Sequence, residues 1–341
     1  MFNFRIVKQV KKEDAEIKEF HLFAGIGGGI YGGLLLGHKC CAGVEINEFC
    51  KTVLRQRQQD SWLEPFPIYD DVTKIDGTKY KGAFDVLCGG FPCQAFSTAA
   101  HGKNIAEKNL WDYMLKFIKE SDAPIVFGEN VVFRAIARAR LDLEKIGYRV
   151  TYCRLSCKDI GADHQRNRFW VLAVKDKNIF NKVATHILAL PKFNSCWDEK
   201  PIGEYPVRVE HRREQLAGIG NAQSPLVAAL AFRILVKRQL EKDYNSLTVS
   251  SEELSHCFVI KKTWIKETFG DIGGLHTPTT MANYHCKSMM KHKSCVNFVK
   301  VFGTPQPLNG EYLMGMPMGM TSPLPVNKSF LEKWIRHISS K

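Results

Sequence analysis

The chain has 341 residues, 45% hydrophobic and 24% charged, a globular composition with room for one large domain and a smaller one. No run of about 18 apolar residues is present, so no membrane span is expected, and the charged stretch MFNFRIVKQVKKEDAEIKEF does not suit a secretory signal. A net charge of +13 favours a polyanionic partner, and eleven cysteines without a CxxC pair fit reduced thiols of a cytoplasmic protein better than a disulfide framework.

Short apolar runs alternate with helical patterns along the chain. EFHLFAG (Glu19–Gly25) reads as a strand, followed by a glycine-rich turn and the apolar helix IYGGLLLG. Lys39–Ile46 is a second strand, with NEFCKTVLRQRQ helical after it. FPIYDDV supplies a short third strand and Phe84–Gly90 a fourth. LWDYMLKFIKE reads as a helix, Pro124–Val131 as a fifth strand, and a helix runs on to about Ile146. YRVTYCRL and Arg168–Val174 are further strands. This order predicts an α/β fold, a mostly parallel sheet with helices on both faces. Residues 175–215 contain Pro191, Pro201 and Pro206 and show little periodicity, so 176–215 reads as a short insert. A helix resumes over Ser224–Lys242, and the polar DYNSLTVSSEEL after it reads as a linker. The expected division is therefore 1–242 and a smaller 243–341, the latter with a basic patch of Lys287, Lys291, Lys293 and Lys300. His285, Cys286 and Cys295 have zinc-ligand chemistry, but no second closely spaced pair completes a site, and no metal is expected.

Open parallel sheets bind ligands beyond the carboxyl ends of their strands, so the residues there carry the functional reading. After the first strand, HLFAGIGGGIYGG meets a GxGxxG pattern at Gly27, Gly29 and Gly32, where glycine lets backbone and helix N–H groups approach a ligand. Glu45 ends the second strand, placed to bind ribose hydroxyls. Asp71 ends the third, placed for an adenine amino group, and Phe23 is placed to stack on the ring. On this motif, nicotinamide dinucleotides and S-adenosylmethionine both remain open. GGFPCQAFS puts Cys93 after Pro92 at the end of the fourth strand, with Gln94 and Ser97 as polar neighbours. A thiolate there is a candidate nucleophile. Glu129 ends the fifth strand in the same crevice, an acid suited to hydrogen-bond a ring nitrogen as charge builds. Arg166 and Arg168, two apart at a strand entry, are candidates to grip an anion or lower the thiol pKa.

At these residues the sequence resembles the cytosine-5 DNA methyltransferases of bacterial and phage type. FAGIGG, VEIN, DDVTKI, GGFPCQAFS, GENV, HQRNR and GNAQSPLVA match that family's motifs in family order over roughly residues 19–240. The resemblance implies a Rossmann-like methyltransferase sheet, S-adenosylmethionine as cofactor and double-stranded DNA as partner. It implies methylation of carbon 5 of a flipped-out cytosine, with Cys93 adding to carbon 6 and Glu129, Arg166 and Arg168 completing the catalytic set. By the same resemblance Phe23, Gly25, Ile26, Gly27, Gly28, Glu45, Ile46, Asp71, Val72, Pro92, Leu110, Asn221 and Ala222 hold the cofactor. His164 stands where the family most often has glutamine, Asp163 replaces a common proline, and Val132–Phe133 follow GENV in place of a small residue and glycine.

The family's variable target-reading region usually lies between the arginine and Gly-Asn motifs, but here Val174–Gly220 is short for it. LNGEYLMGMPMGMT (Leu308–Thr321) is similar to a segment of such regions in bacterial and phage members, so 243–341 is the expected target-recognition domain. Gln94, Ser97, Thr277, Thr279 and Lys287 are candidate DNA contacts. A monomer is expected, with a cognate restriction endonuclease as a candidate partner. The competing readings are a tRNA cytosine-5 methyltransferase, a catalytically silent DNA-binding relative, a dehydrogenase built on the same glycine loop, and a purely structural or oligomerising tail.

Overall fold

The computed structural model describes residues 16–92, 110–200, 210–280, 284 and 286–339. The elements run β1 (Lys18–Leu22), α1 (Gly28–Leu35), β2 (Lys39–Val44), α2 (Glu48–Gln59), β3 (Ile68–Tyr69), β4 (Val86–Gly90), α3 (Leu110–Ser121), β5 (Ile125–Asn130) and α4 (Phe133–Lys145). They continue with β6 (Arg149–Ser156), β7 (Asn167–Val174), α5 (Lys177–Ala189), β8 (Phe193–Asn194), α6 (Arg212–Asn221) and α7 (Pro225–Glu241). The last are α8 (Ser251–Cys257), β9 (Phe258–Val259), α9 (Trp264–Phe269), α10 (Lys293–Phe302), α11 (Pro307–Leu313) and α12 (Ser329–Ser339). Seven strands form one sheet in the order β3-β2-β1-β4-β5-β7-β6. All pairs are parallel except β5–β7 and β6–β7, where β7 runs antiparallel. The expected mostly parallel α/β sheet is present. Strand order reverses at β1 and β4, and there the crevice opens.

Strand alternation divides the core into two. Phe20, Leu22, Leu87, Val126 and Val171 face one side, packed with Trp111 and Met114 of α3 and Ala135 and Ala139 of α4. Val86, Cys88, Ile125, Phe127 and Leu172 face the other, packed with α1, α2, α5 and α7. The 212–241 stretch is apolar enough by length and composition to cross a membrane, but most of it is buried, and α7 lies across the sheet as a core helix.

Two expectations are corrected. The supposed aperiodic insert contains α5, whose Phe180, Val183, Ala184 and Ile187 are buried at i, i+3, i+4 and i+7. Asp176 caps it by accepting from the N–H groups of Asn178 and Ile179. Proline further on obscured the helix at the sequence level. The supposed linker is fastened too: the Arg238 guanidinium donates to Thr248 O at 2.8 Å and pairs with Glu253, and Ser250 begins α8 with a capping box.

The segment after α7 shares the core of the sheet's α1 side. Trp334 of α12 meets Tyr31 of α1 edge to face at 6.3 Å, and Trp197 Nε1 donates to Tyr312 O at 2.8 Å. The buried Arg57 guanidinium of α2 donates to Gly319 O and Ser322 O at 3.0 and 3.2 Å, and Trp62 Nε1 donates to Val326 O. Buried Glu311 accepts from the Gly319 and Thr321 N–H groups and from Thr321 Oγ1, closing the LMGMPMGMT turn on itself.

One polar island interrupts the α1 face of the sheet. Glu19 lies between His21 Nε2 at 2.8 Å and His38 Nδ1 at 2.6 Å. Burial pushes its carboxyl up, but His38 and the two imidazole hydrogen bonds outweigh that and hold it at about 2. Gly33 packs directly on this carboxylate: a Cβ there would stand 2.0 Å from Glu19 Oε2. Gly33→Ala should therefore lower stability by about 2–3 kcal/mol, read from urea midpoints, whereas a loss below ~0.5 kcal/mol would mean that the packing relaxes freely.

His164 is also buried, with both ring nitrogens lacking hydrogen-bond partners, where the chain bridges to Leu275. Burial, then the charges of Arg166 and Arg168, lowers its titration to about 3. The unfolded chain protonates this imidazole near its ordinary value of 6.5 while the folded chain does not. Stability must therefore drain away as pH falls below that value, by about 1.4 kcal/mol per pH unit. His164→Gln should lose roughly 1 kcal/mol less stability than the parent between about pH 7 and about pH 5.5 in paired urea melts; equal losses would refute the assignment.

Candidate active site

The carboxyl ends of β1, β2, β4 and β5 surround a cavity of about 560 Å³ that α6 closes from the far side. That volume suits a nucleoside-sized ligand. A smaller chamber of about 50 Å³ continues inward between Gly28, Gly29, Gly89, Gly90 and Gln223. Phe23, Gly25, Glu45, Pro92, Asn221 and Ala222 all line the main cavity, as expected from sequence. Phe23 has φ +56°, a conformation costly for an aromatic residue and held by the turn around it. Gly25 has φ +55° and open space at its Cβ position, and its N–H donates to Glu45 Oε2 at 2.6 Å. Glu45 Oε1 accepts from the Asn47 N–H at 2.7 Å, so the carboxylate is fixed at the strand end.

Other expected cofactor residues sit differently. Ile26 is fully buried against the Gly218 position, and its side chain belongs to the core. Ile46 is 75% exposed. Asp71 accepts from its own turn, from Thr73 N at 2.9 Å and Oγ1 at 2.8 Å, and neither it, Val72 nor Leu110 lines the cavity. The glycines divide their work. Gly27, at φ +95°, makes the turn, whereas Gly28 and Gly32 bring α1 against the Gln223 and Pro225 carbonyls and Ala228.

The catalytic candidates converge on Glu129. Its carboxyl is buried at the end of β5, with Arg168 Nε 2.9 Å from Oε1 and Gln223 Nε2 donating to Oε2 at 3.4 Å. Burial raises its pKa, against the pull of Arg168, Arg166 and the Gln223 amide. Arg166 has another task. Its guanidinium donates to Gly220 O and Ala222 O at 2.8 Å and to Pro278 O at 3.0 Å. Burial and the Arg168 charge bring it down to about 10.

Cys93, Gln94 and Ser97 lie outside the described residues; Pro92, immediately before, is at the cavity wall. Asn130 Nδ2 donates to Phe91 O at 2.8 Å, tying the start of that turn to β5. Cys50 also lines the cavity, but burial pushes its thiol to about 12, so it is no nucleophile at neutral pH. The described cysteines are all free thiols.

On the C-terminal side, Thr279 N–H donates to Tyr284 Oη at 2.9 Å, and Tyr284 donates to Thr277 O. Thr277 Oγ1 is enclosed without a partner, Thr279 is half-buried and Lys287 is exposed. The backbone of Thr279–Thr280 presses on Gly220, where a Cβ would come within 2.3 Å of Thr280 N. Sequence reasoning had passed over Gln223, the tie made by Asn130, and the α6 wall of Glu214, Ala217 and Gly218. Gln223 carried a signal as the polar residue two places after the Gly-Asn pair, and Asn130 as a member of GENV.

The chain is 28% identical over 178 residues to the type II methyltransferase M.MspI of Moraxella sp, covering 48% of this chain and 40% of that protein. It is 32% identical over 165 residues to the type II methyltransferase M.CviJI of Paramecium bursaria Chlorella virus IL3A, covering 46% and 43%. The chain thus spans less than half the length of these relatives. A crystal structure of a Spodoptera frugiperda DNMT2 mutant aligns with a TM-score of 0.40 at 19% identity, over 48% of this chain and 51% of that one. The model of the C-5 cytosine-specific DNA methylases matches residues 17–256, so the chain belongs to that family.

Proposed function

We propose that the protein is a DNA (cytosine-5)-methyltransferase acting on a flipped-out cytosine in a specific duplex sequence, as a cytoplasmic monomer. The observation that carries this reading is Glu129, a buried carboxyl flanked by Arg168 and Gln223 and facing a nucleoside-sized cavity beside Pro92. S-adenosylmethionine fits the residues present: Glu45 is fixed at a ribose position, Phe23 supplies an aromatic face, and Gly25 leaves open space. When bound, that cofactor supplies the methyl group for carbon 5.

The chain's own residues do the rest. Carbon 6 of cytosine is unreachable in the base stack, so the base is turned out into the crevice. The Cys93 thiolate forms a bond to carbon 6 while Glu129 gives a proton or hydrogen bond to ring N3, which takes up the displaced electron pair. Burial raises the pKa of this carboxyl, which suits it to donate in that step. Arg168 orients the Glu129 carboxyl. After methylation the carbon 5 proton leaves to a base, the carbon 5–carbon 6 double bond returns, and the Cys93 bond breaks. The exposed Lys287, Lys291, Lys293 and Lys300 suit phosphate contacts, which position without reading sequence. The reading puts target recognition in 243–341, with a cognate endonuclease as a partner in a restriction-modification pair.

Cys93→Ala should abolish methyl transfer to duplex DNA and the covalent adduct on DNA carrying 5-fluorocytosine, while leaving cofactor binding largely intact. Glu129→Gln should slow transfer by about 10²-fold or more. Adduct formation by the Cys93→Ala protein, or a preference for tRNA over duplex DNA in the same assay, would overturn the reading. Replacing Lys287 and Lys291 with alanine should weaken binding uniformly across DNA sequences and flatten the log-affinity against log-salt slope by about 0.9 for each phosphate no longer neutralised. An unchanged slope would remove this patch from the DNA interface.

A further inference from the structure

Gln223 touches more of the crevice than a wall residue needs to. Its amide Nε2 donates to Glu129 Oε2 at 3.4 Å. A Cβ at Gly90, the end of β4, would stand 2.8 Å from that same nitrogen and 2.9 Å from Glu129 Oε2. A Cβ at Gly29, in the first turn of α1, would stand 2.7 Å from Gln223 Oε1. A Cβ at Gly28 would meet the Gln223 carbonyl oxygen at 2.3 Å. The side chain therefore fills a slot that only glycine leaves open on both sides, between the cofactor loop and the turn leading to Cys93. It lines the inner chamber with Glu129 and His21.

We propose that Gln223 is a positioning residue for Glu129, holding Oε2 of the carboxyl while Arg168 stands against Oε1, so that the acid faces the cavity in one orientation. This rests on the function proposed above. An amide suits the role for a chemical reason. It donates through nitrogen to a carboxylate and, turned over, accepts through oxygen from a carboxylic acid, so it follows Glu129 through both protonation states. An aliphatic residue in the same slot offers neither. The charged and titratable groups facing Glu129 among the described residues are Arg168 from β7, Arg166 just before it and, across the inner chamber, His21 from β1. The Gln223 hydrogen bond favours the ionised form of Glu129, as the two arginines do. Its removal therefore shifts the Glu129 titration upward.

The test is the pH–rate profile of methyl transfer at saturating cofactor and duplex DNA, from about pH 6 to about pH 9, for the parent, Gln223→Met and Gln223→Glu. Gln223→Met, similar in length but without the amide, should lower kcat about three- to tenfold and move the Glu129-dependent limb up by roughly half a unit to one unit. The KM for S-adenosylmethionine should stay within about twofold, because the interaction is made to the acid and not to the cofactor. Gln223→Glu sets a second carboxyl against the first and should move the limb further in the same direction. A limb unmoved in both variants overturns the proposal, as does a rise in KM with kcat unchanged, which would make Gln223 a plain wall of the cofactor site. Should Gln223→Met fail to fold, Gln223→Asn, which keeps the amide but shortens its reach, carries the same test with the same outcomes. Glu129→Gln is run alongside. Full activity in that variant refutes the proposed function itself, whereas its inactivity with an unmoved limb in the Gln223 variants refutes only the positioning role.

Discussion

The Arg166 guanidinium joins three stretches of chain that share nothing in sequence. It stands at the entry to β7 and donates to Gly220 O and Ala222 O in the turn before α7, and to Pro278 O in the C-terminal segment. Those carbonyls end or interrupt regular structure and have no ladder partner of their own, so a buried cation with a fixed fork of donors satisfies them together. Removing the guanidinium leaves three carbonyls without their donor, two of them on buried residues, which costs more than losing a surface ion pair. One side of the cavity is referenced to this point. Asn221 and Ala222 form one wall through it, Gln223 follows at once and reaches Glu129, and Thr279–Thr280 is pressed against Gly220 from the opposite side.

The electrostatics of the crevice follow from that packing. Arg166 and Arg168 place two positive charges beside one buried carboxyl, yet burial still leaves the Glu129 pKa raised. The same two charges, after burial itself, keep His164 neutral. A cation at His164 would add a third buried positive charge within one turn of chain. The imidazole is tolerated at this position because it stays uncharged. The imidazole therefore bears on stability at low pH.

The α1 side of the crevice is arranged by close approach. Glycines at positions 28, 29, 32 and 33 let α1 settle against Gln223, the Pro225 carbonyl, Ala228 and Glu19, where a Cβ would collide at 28, 29 and 33 and be tightly crowded at 32. A glycine-rich pattern read as a ligand cradle is thus largely a helix-packing device, with Gly25 and Gly27 left to shape the turn that faces the cavity. This closeness is also why the polar Glu19–His21–His38 island survives in an apolar core: Gly33 leaves room for the carboxylate, and both of its oxygens are bonded.

Much of this was legible in the one-dimensional pattern. Apolar runs bounded by turn residues located all seven strands of the main sheet, because strand burial on both faces leaves an uninterrupted signature. Motif residues at the strand ends located Phe23, Glu45, Pro92 and Glu129 around one cavity, because parallel strands deliver their carboxyl ends to one edge, and the Gly-Asn motif added Asn221 from the end of α6. α5 was obscured by the prolines that follow it, and DYNSLTVSSEEL looked like a linker because its anchors, Arg238 and the capping box at Ser250, are made by tertiary contact and local geometry. Asp71 shows the converse: the right residue at a strand end turned to cap its own loop, since a short carboxylate bonds the nearest N–H group. The sequence by itself determined the sheet, the order of the strand ends and the chemical identity of the groups brought there. Only the tertiary structure decided which of them touch: that Arg168 takes Glu129 while Arg166 takes three carbonyls, and that Gln223 reaches the acid between two glycines. Spacing along a strand states which side a residue faces, whereas a hydrogen bond between residues 94 positions apart depends on how two helices and a sheet close on one another.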